Sequence, residues 1–235
     1  MRHVFVQGAS RGLGRAFVHH LLARGDRVTA TARDPSSLDA LVREVPDRLT
    51  TLRLDLEAPD TIETAAQAVG AIDWVINVSG LLHDGELQPE KKLDHADADS
   101  LHRLFQVNSI GPLLVARHLH RKLARDGVFA SLSARVGSIE DNRLGGWYGY
   151  RASKAAQNMF TKTLSIEWGR SRPERAVVAL HPGTVATELS APFRRHAKTV
   201  FPVERAAAQL IDILDGLTGA DTGRFIAWDG TDIPW

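Results

Sequence analysis

The chain contains no cysteine in 235 residues, which removes disulfides, thiolate nucleophiles and zinc–thiolate centres together. It also lacks charge of a dominant sign. Lys and Arg number 29 and Asp and Glu 28, a formal net charge of +1, so neither a nucleic-acid partner nor a membrane surface is indicated. The longer apolar runs, such as "VVAL" and "AIDWVINV", fall far short of the roughly 20 residues a membrane helix needs. The opening "MRHVFVQGAS" has no hydrophobic core of a secretion signal, which points to a cytoplasmic protein. Histidines are scattered, and His118 and His120, two apart, face different sides of a helix, so no metal site is expected. Repeats, low-complexity tracts and linkers are missing too. Residues 1–235 therefore read as one globular domain, large enough for a buried core.

What is present is alternation. Short β-branched or apolar runs at His3–Gln7, 27–31, 49–54, 73–78, 127–132, 176–180 and 223–227 read as strands. Helical spacing fills the intervals at Gly12–Ala23, 36–45, 60–69, 98–106, 111–125, 150–169 and 203–214. The pattern predicts an α/β fold: a three-layer, doubly wound parallel sheet of about seven strands with helices on both faces. The less regular stretches 81–97, 138–149 and 188–202 would then border the crevice at the carboxyl ends of the strands.

The first strand-to-helix turn lies in "VFVQGASRGLGRAF", with glycines at Gly8, Gly12 and Gly14. Such a turn needs residues that accept positive φ, and a position without a Cβ where a diphosphate can approach the backbone. The helix start adds free N–H groups and a positive dipole end. The spacing differs from the commonest dinucleotide fingerprint, so alone it is also compatible with a turn that binds nothing. The second strand ends in "VTATARDPSS", placing Arg33 and then Asp34 where an adenosine ribose would lie. Arg11 stands inside the glycine turn. Two guanidiniums suit a 2′-phosphate, so NADP(H) is expected over NAD(H), while Asp34 keeps NAD open.

In "YGYRASKAAQNMF", Tyr150 and Lys154 are four apart and share a helix face. An ammonium about 4 Å from a phenol, at an effective dielectric near 20, favours the phenolate by roughly 4 kcal/mol. Tyr150 is thus expected to have a lowered pKa and to act as general acid and base on a carbonyl–alcohol pair.

With these motifs in hand, the chain resembles the short-chain dehydrogenase/reductase family over nearly its whole length. The resemblance is carried in order by "QGASRGLG", "LDL", "NVSG", "VNSIGP", "YRASK" and "HPGTVATEL". Within the family, "SARVGSIEDNRLGGWYGYRASKAAQNM" and the ending "WDGTDIPW" are similar to the C-factor and sniffer-type carbonyl reductases. The resemblance implies a Rossmann-type domain and NADP(H)-dependent carbonyl reduction, with a small-molecule carbonyl or alcohol as partner and pairing into a homodimer or homotetramer. It implies that Gly8, Ser10, Arg11, Gly12, Leu13 and Gly14 cradle the diphosphate and that Arg33 meets the 2′-phosphate. Asp55 and Leu56 would flank the adenine, and Asn77, Val78, Ser79 and Gly80 the ribose. Tyr150 and Lys154 would stand beside the nicotinamide ribose, and Pro182, Gly183, Val185 and Thr187 would fix the carboxamide. Asn108 would hold a water leading from Lys154 to solvent.

Three departures stand out. Gln7 replaces a threonine before the first glycine, a small change in local hydrogen bonding. Val78 and Ser79 alter the middle of the segment after strand four. Most consequentially, "LSARVG" puts Ala134 where the family has a serine that binds the carbonyl oxygen. Ser133 and Ser138 are the available substitutes, with Ser138 preferred. If neither serves, a dinucleotide-binding regulatory or signalling protein with little turnover becomes the alternative. Trp147 and Tyr148 are candidates for the substrate pocket or a subunit contact. Phe193, Arg194 and Arg195 fall in a stretch that forms a lid in this family.

Overall fold

The computed structural model describes residues 1–197 and 199–235. Lys198, within the expected loop 188–202, lies outside the described residues. The chain runs β1 (His3–Gln7), α1 (Gly12–Ala23), β2 (Arg27–Ala32), α2 (Asp39–Glu44), β3 (Leu49–Arg53), α3 (Pro59–Ala68) and β4 (Ile72–Asn77). It continues through α4 (Ala98–Phe105), α5 (Gly111–Leu119), β5 (Leu123–Leu132), α6 (Tyr148–Ser171), β6 (Ala176–His181), α7 (Val203–Gly216) and β7 (Phe225–Ala227). All seven strands pair in parallel in the order β3-β2-β1-β4-β5-β6-β7. The order reverses between β1 and β4, and ligands of such sheets bind in the crevice at that switch point.

Strand alternation builds the three layers. Val4 and Val6 face one side, with Phe17 and Leu21 of α1 and Leu210 and Leu214 of α7. Phe5 faces the other, with Ile62 of α3, Val115 of α5 and Trp168 of α6. Strands covered on both faces need apolar residues at both parities, which is why they read as runs rather than alternations.

Most ends shift by one or two residues from the expected ranges, such as β7 starting at Phe225, and three places differ by more. The segment 36–45 is a 3-10 turn at Pro35–Leu38 followed by the short α2. The expected helix 111–125 ends at Leu119, and β5 begins at Leu123. Between α4 and α5 the gap is a π-helical turn, Gln106–Ile110, closed by the Gly111 N–H donating to the Gln106 carbonyl. Pro112 explains it: it has no N–H to offer the Asn108 carbonyl, so the ladder steps to a wider register.

Candidate active site

The glycine turn leaves β1 at the switch point. Gly8 has φ +85°, and a Cβ there would lie 2.2 Å from Ser79 Oγ. A Cβ on Gly14 would lie 1.9 Å from the Gly8 carbonyl oxygen, so helix and turn touch through their backbones. No side chain caps the start of α1 and its first turn holds no acidic residue, which leaves its N–H groups and dipole facing the crevice. Gln7 matters more than expected. Its amide donates to Ser79 Oγ (2.8 Å) and accepts from the Ser79 N–H (3.2 Å), tying the turn after β1 to the turn after β4. The same turn brings Gly80 to Lys154 and Asn108: a Cβ on Gly80 would meet Lys154 Nζ at 3.6 Å and Asn108 Oδ1 at 3.7 Å.

At the end of β2 and in the glycine turn, Arg33 and Arg11 are both exposed, and both act on the carboxylate of Asp84, which they and above all Arg103 hold below its ordinary range. Asp34 is turned to local use. Its carboxylate accepts the Ser36 N–H (3.0 Å), capping the Pro35–Leu38 turn, and that contact lowers its pKa. Asp55 likewise accepts the Glu57 N–H (3.0 Å). Leu56 is buried against the junction of the π turn and α5, where a Cβ on Gly111 would sit 2.7 Å from it, and Gln106 Nε2 donates to its carbonyl. Arg11 also pairs with Glu188, so the glycine turn is linked to the segment after β6.

In that segment Gly183 takes φ +73° beneath the Phe201 ring, where a Cβ would come within 2.8 Å. Pro182, just before it, is half-buried. Val185 is buried and bridges Phe201, and Thr187 Cγ2 lies 3.3 Å from where a Gly12 Cβ would be. Pro182 to Thr187 thus crosses back over the glycine turn.

Tyr150 and Lys154 occupy the first turns of α6, both buried, at 7% and 3% exposure. Lys154 Nζ donates to the Leu132 carbonyl (2.8 Å) and to Gln157 Oε1 (2.9 Å). Asn108, fully buried in the π turn, clamps the loop after β4: Nδ2 donates to the Leu81 carbonyl and Oδ1 accepts the Leu81 N–H. Nδ2 also donates to Ser153 Oγ (2.9 Å), so the π turn is tied to α6. Electrostatically the pair departs from expectation. Burial pushes the Tyr150 hydroxyl up, not down, and pulls the Lys154 ammonium down to about 7. The reason is desolvation, which disfavours both charged forms.

The two candidate serines are committed elsewhere. Ser133 Oγ donates to Asn158 Oδ1 at 2.6 Å. Ser138 Oγ donates to the Trp235 carbonyl (3.3 Å) and accepts the Asp141 N–H (3.1 Å), holding the loop after β5 to the last residues. Each hydroxyl has a single proton, so the geometry does not support the preference for Ser138. Ala134 itself packs in the apolar cluster around Tyr150.

The walls come from three loops. Leu81, Leu82, Leu87, Val136, Trp147, Leu189 and Phe193 cluster with Tyr150 and Ala134. Trp147 sits edge-on to Phe193 (4.8 Å) and to Tyr150 (6.2 Å), and His83 packs on Phe193 while meeting the Leu189 carbonyl. Arg194 turns back onto its own segment, donating to the Thr187 carbonyl and Ser190 Oγ. Tyr148 and Arg195 are exposed. Two residues escaped the sequence reading. Glu90 is a buried carboxylate whose oxygens accept the Gly149 N–H (3.1 and 3.2 Å), while its backbone carbonyl takes the Trp147 N–H (2.6 Å). It caps α6 from a remote loop, and Trp147, at φ +54°, is the residue held left-handed there. Gln157 is the other, and nothing but its distance of three from Lys154 marked it.

A family model described as short chain dehydrogenase matches residues 2–198. Among curated proteins, the 1-hydroxy-2-glutathionyl-2-methyl-3-butene dehydrogenase of Rhodococcus sp. (strain AD45) is 32% identical over 240 residues, covering 100% of both chains. The C-signal protein of Myxococcus xanthus is 34% identical over 169 residues, 71% of this chain and 94% of its own length. Among solved structures, the NADPH-bound carbonyl reductase from chicken fatty liver superposes with TM-score 0.88 at 28% identity, covering 100% of this chain and 94% of that one.

Proposed function

The chain belongs to the short chain dehydrogenase family, and from that premise we propose that it reduces a carbonyl to an alcohol, reversibly, with NADP(H), using Tyr150 as the proton donor. The observation that carries this reading is the burial of Tyr150 and Lys154 on one face of α6, with Lys154 Nζ beside Gly80 in the loop after β4 that the Gln7–Ser79 contacts tie to the glycine turn. NADP-bound relatives of the same fold support the cofactor.

The residues fit the dinucleotide. Gly8, Ser10, Arg11, Gly12, Leu13 and Gly14 would hold the diphosphate through backbone N–H groups. Arg33 and Arg11 would take the 2′-phosphate, Asp55 and Leu56 the adenine, and Asn77, Val78, Ser79 and Gly80 the ribose. Pro182, Gly183, Val185 and Thr187 would hold the carboxamide. Bound NADPH supplies the hydride. The chain supplies orientation and the proton. Burial keeps the phenol protonated at neutral pH, so Tyr150 is set as a donor to an incoming carbonyl oxygen. Lys154, with its third N–H free of Leu132 and Gln157, would bind the ribose hydroxyls. Asn108 fixes the loop after β4 against α6 and would steady that arrangement.

With both serines engaged and Ala134 in the wall, the carbonyl oxygen depends on Tyr150. The apolar walls favour carbonyls with aromatic or branched apolar substituents, because polyol hydroxyls would be left without partners there. The exposed Ile110, Met159 and Ile166 on α6 and the π turn support pairing of two copies through that face. The missing hydroxyl at position 134 favours one second reading, a dinucleotide-binding regulator with little turnover. Incubating the protein and NADPH with aromatic diketones, quinones, aldehydes and a ketopentose, and following nicotinamide absorbance, separates the two. Oxidation with the apolar carbonyls in excess of the ketopentose supports the enzyme; NADPH binding without oxidation on any of them supports the regulator.

A further inference from the structure

Lys154 has an unusual neighbour. Its ammonium lies wholly inside the protein, where a positive charge is stable only if acceptors replace the lost water. The backbone provides one, the Leu132 carbonyl at 2.8 Å. The other comes from a side chain, Gln157 Oε1 at 2.9 Å, one turn further along α6. Gln157 is itself 2% exposed, and its Nε2 is a buried donor without a protein partner among the described residues. Gln157 lines a cavity of about 10 Å³ together with Ser109, Ser131 and Thr161 and with apolar side chains that include Phe129 and Leu164. Its orientation is dictated by charge: the ammonium has only donors, so the carbonyl end must face Lys154, and the NH₂ end is the one left without a protein partner.

We propose that Gln157 is a positioning residue for Lys154: it keeps the ammonium protonated and aimed, with its third N–H left for the cofactor side at Gly80. The inference rests on the catalytic reading of Lys154 but concerns a residue that reading does not use. Around Lys154, β5 contributes the Leu132 carbonyl, the π turn contributes Asn108, and the loops after β4 and β5 contribute Gly80 and Gly137. Tyr150, one turn back on α6, is the titratable group on the same face. Burial alone displaces Lys154, and no carboxylate or guanidinium acts on it among the described residues. The Gln157 amide is therefore the adjustable part of this environment.

The test compares Gln157→Met, similar in length and without the strong acceptor, with Gln157→Glu, which offers a charged one. The first readout is direct: the Lys154 side-chain resonance in lysine-labelled full-length protein, assigned by its loss in Lys154→Arg, titrated from pH 5 to 10. A hydrogen bond to a charged group shifts the equilibrium by about one pH unit or more. The expected result is a Lys154 titration lowered in Gln157→Met and raised in Gln157→Glu, with the alkaline limb of NADPH oxidation moving in the same order. Coincident titrations in all three proteins would overturn the proposal, as would loss of activity in both variants at every pH in step with their melting temperatures. If the wild type oxidises no NADPH with any carbonyl, the enzymatic reading fails while the resonance titration still decides the role of Gln157.

Discussion

The two halves of the crevice are built differently. The half proposed for the cofactor, from the glycine turn to the crossing at Thr187, is shaped by backbone: contacts of 1.9 Å and 2.2 Å would arise if Gly14 or Gly8 carried a Cβ. The half proposed for the substrate is shaped by side chains from three loops, held by aromatic edges and by Glu90 capping α6. Backbone constraints admit few residue types and so leave a mark in the sequence. Side-chain walls can be assembled in many ways and leave almost none.

Substitutions can break that contrast, beginning where the largest effect is expected. Gly14→Ala forces a Cβ into the Gly8 carbonyl, so NADPH affinity by fluorescence titration should fall by about 100-fold or more, about 2.7 kcal/mol. A near-native affinity would show that the turn yields easily. Lys154 sits on the seam between the halves. Its folded pKa, about 7, is below the unfolded value of about 10.4, so between these limits the unfolded chain binds more protons and stability rises with pH. The penalty for burying the ammonium is fully present below pH 7. Urea unfolding at pH 7, 8 and 9 should show the wild type gaining up to about 1.4 kcal/mol per unit over Lys154→Met. Equal slopes would mean that Lys154 does not carry this cost.

Arg33→Ala comes next. It should weaken NADPH by about 10- to 100-fold and leave NADH nearly unchanged, as the loss of a charge-assisted contact requires. Equal weakening of both cofactors would remove Arg33 from the 2′-phosphate. The smallest effect is expected for Ser138→Ala. Its hydroxyl is engaged with Trp235 and Asp141, so turnover should change less than about threefold, far below the 10²–10³ typical of a lost oxyanion donor. A loss in that larger range would restore Ser138 to the mechanism.

The same contrast explains what was readable beforehand. The seven strands, the glycine turn and the Tyr150–Lys154 spacing follow from periodicities that the backbone imposes, and the strands lie within a few residues of the expected runs. The overrun of the helix at 111–125 arose because helical spacing persists into the start of β5, where tertiary pairing decides. The π turn around Asn108 depends on a single proline two residues after the expected gap. Glu90 and Gln157 could not be found from spacing, since their partners are brought in by the fold: Gly149 lies 59 residues from Glu90. The Tyr150 displacement runs opposite to the expected direction for a related reason. Proximity of a charge can be inferred from a helix repeat, whereas the depth of burial cannot.

The central claim is that a buried phenol delivers the proton to a carbonyl lying beside the cofactor. Single-turnover oxidation of NADPH by an aromatic diketone, measured for the wild type and Tyr150→Phe at matched cofactor occupancy, tests it most directly. The account predicts NADPH affinity within about twofold of wild type and a hydride-transfer rate lowered by about 10² or more in the variant. Hydride transfer at the wild-type rate in Tyr150→Phe would contradict it.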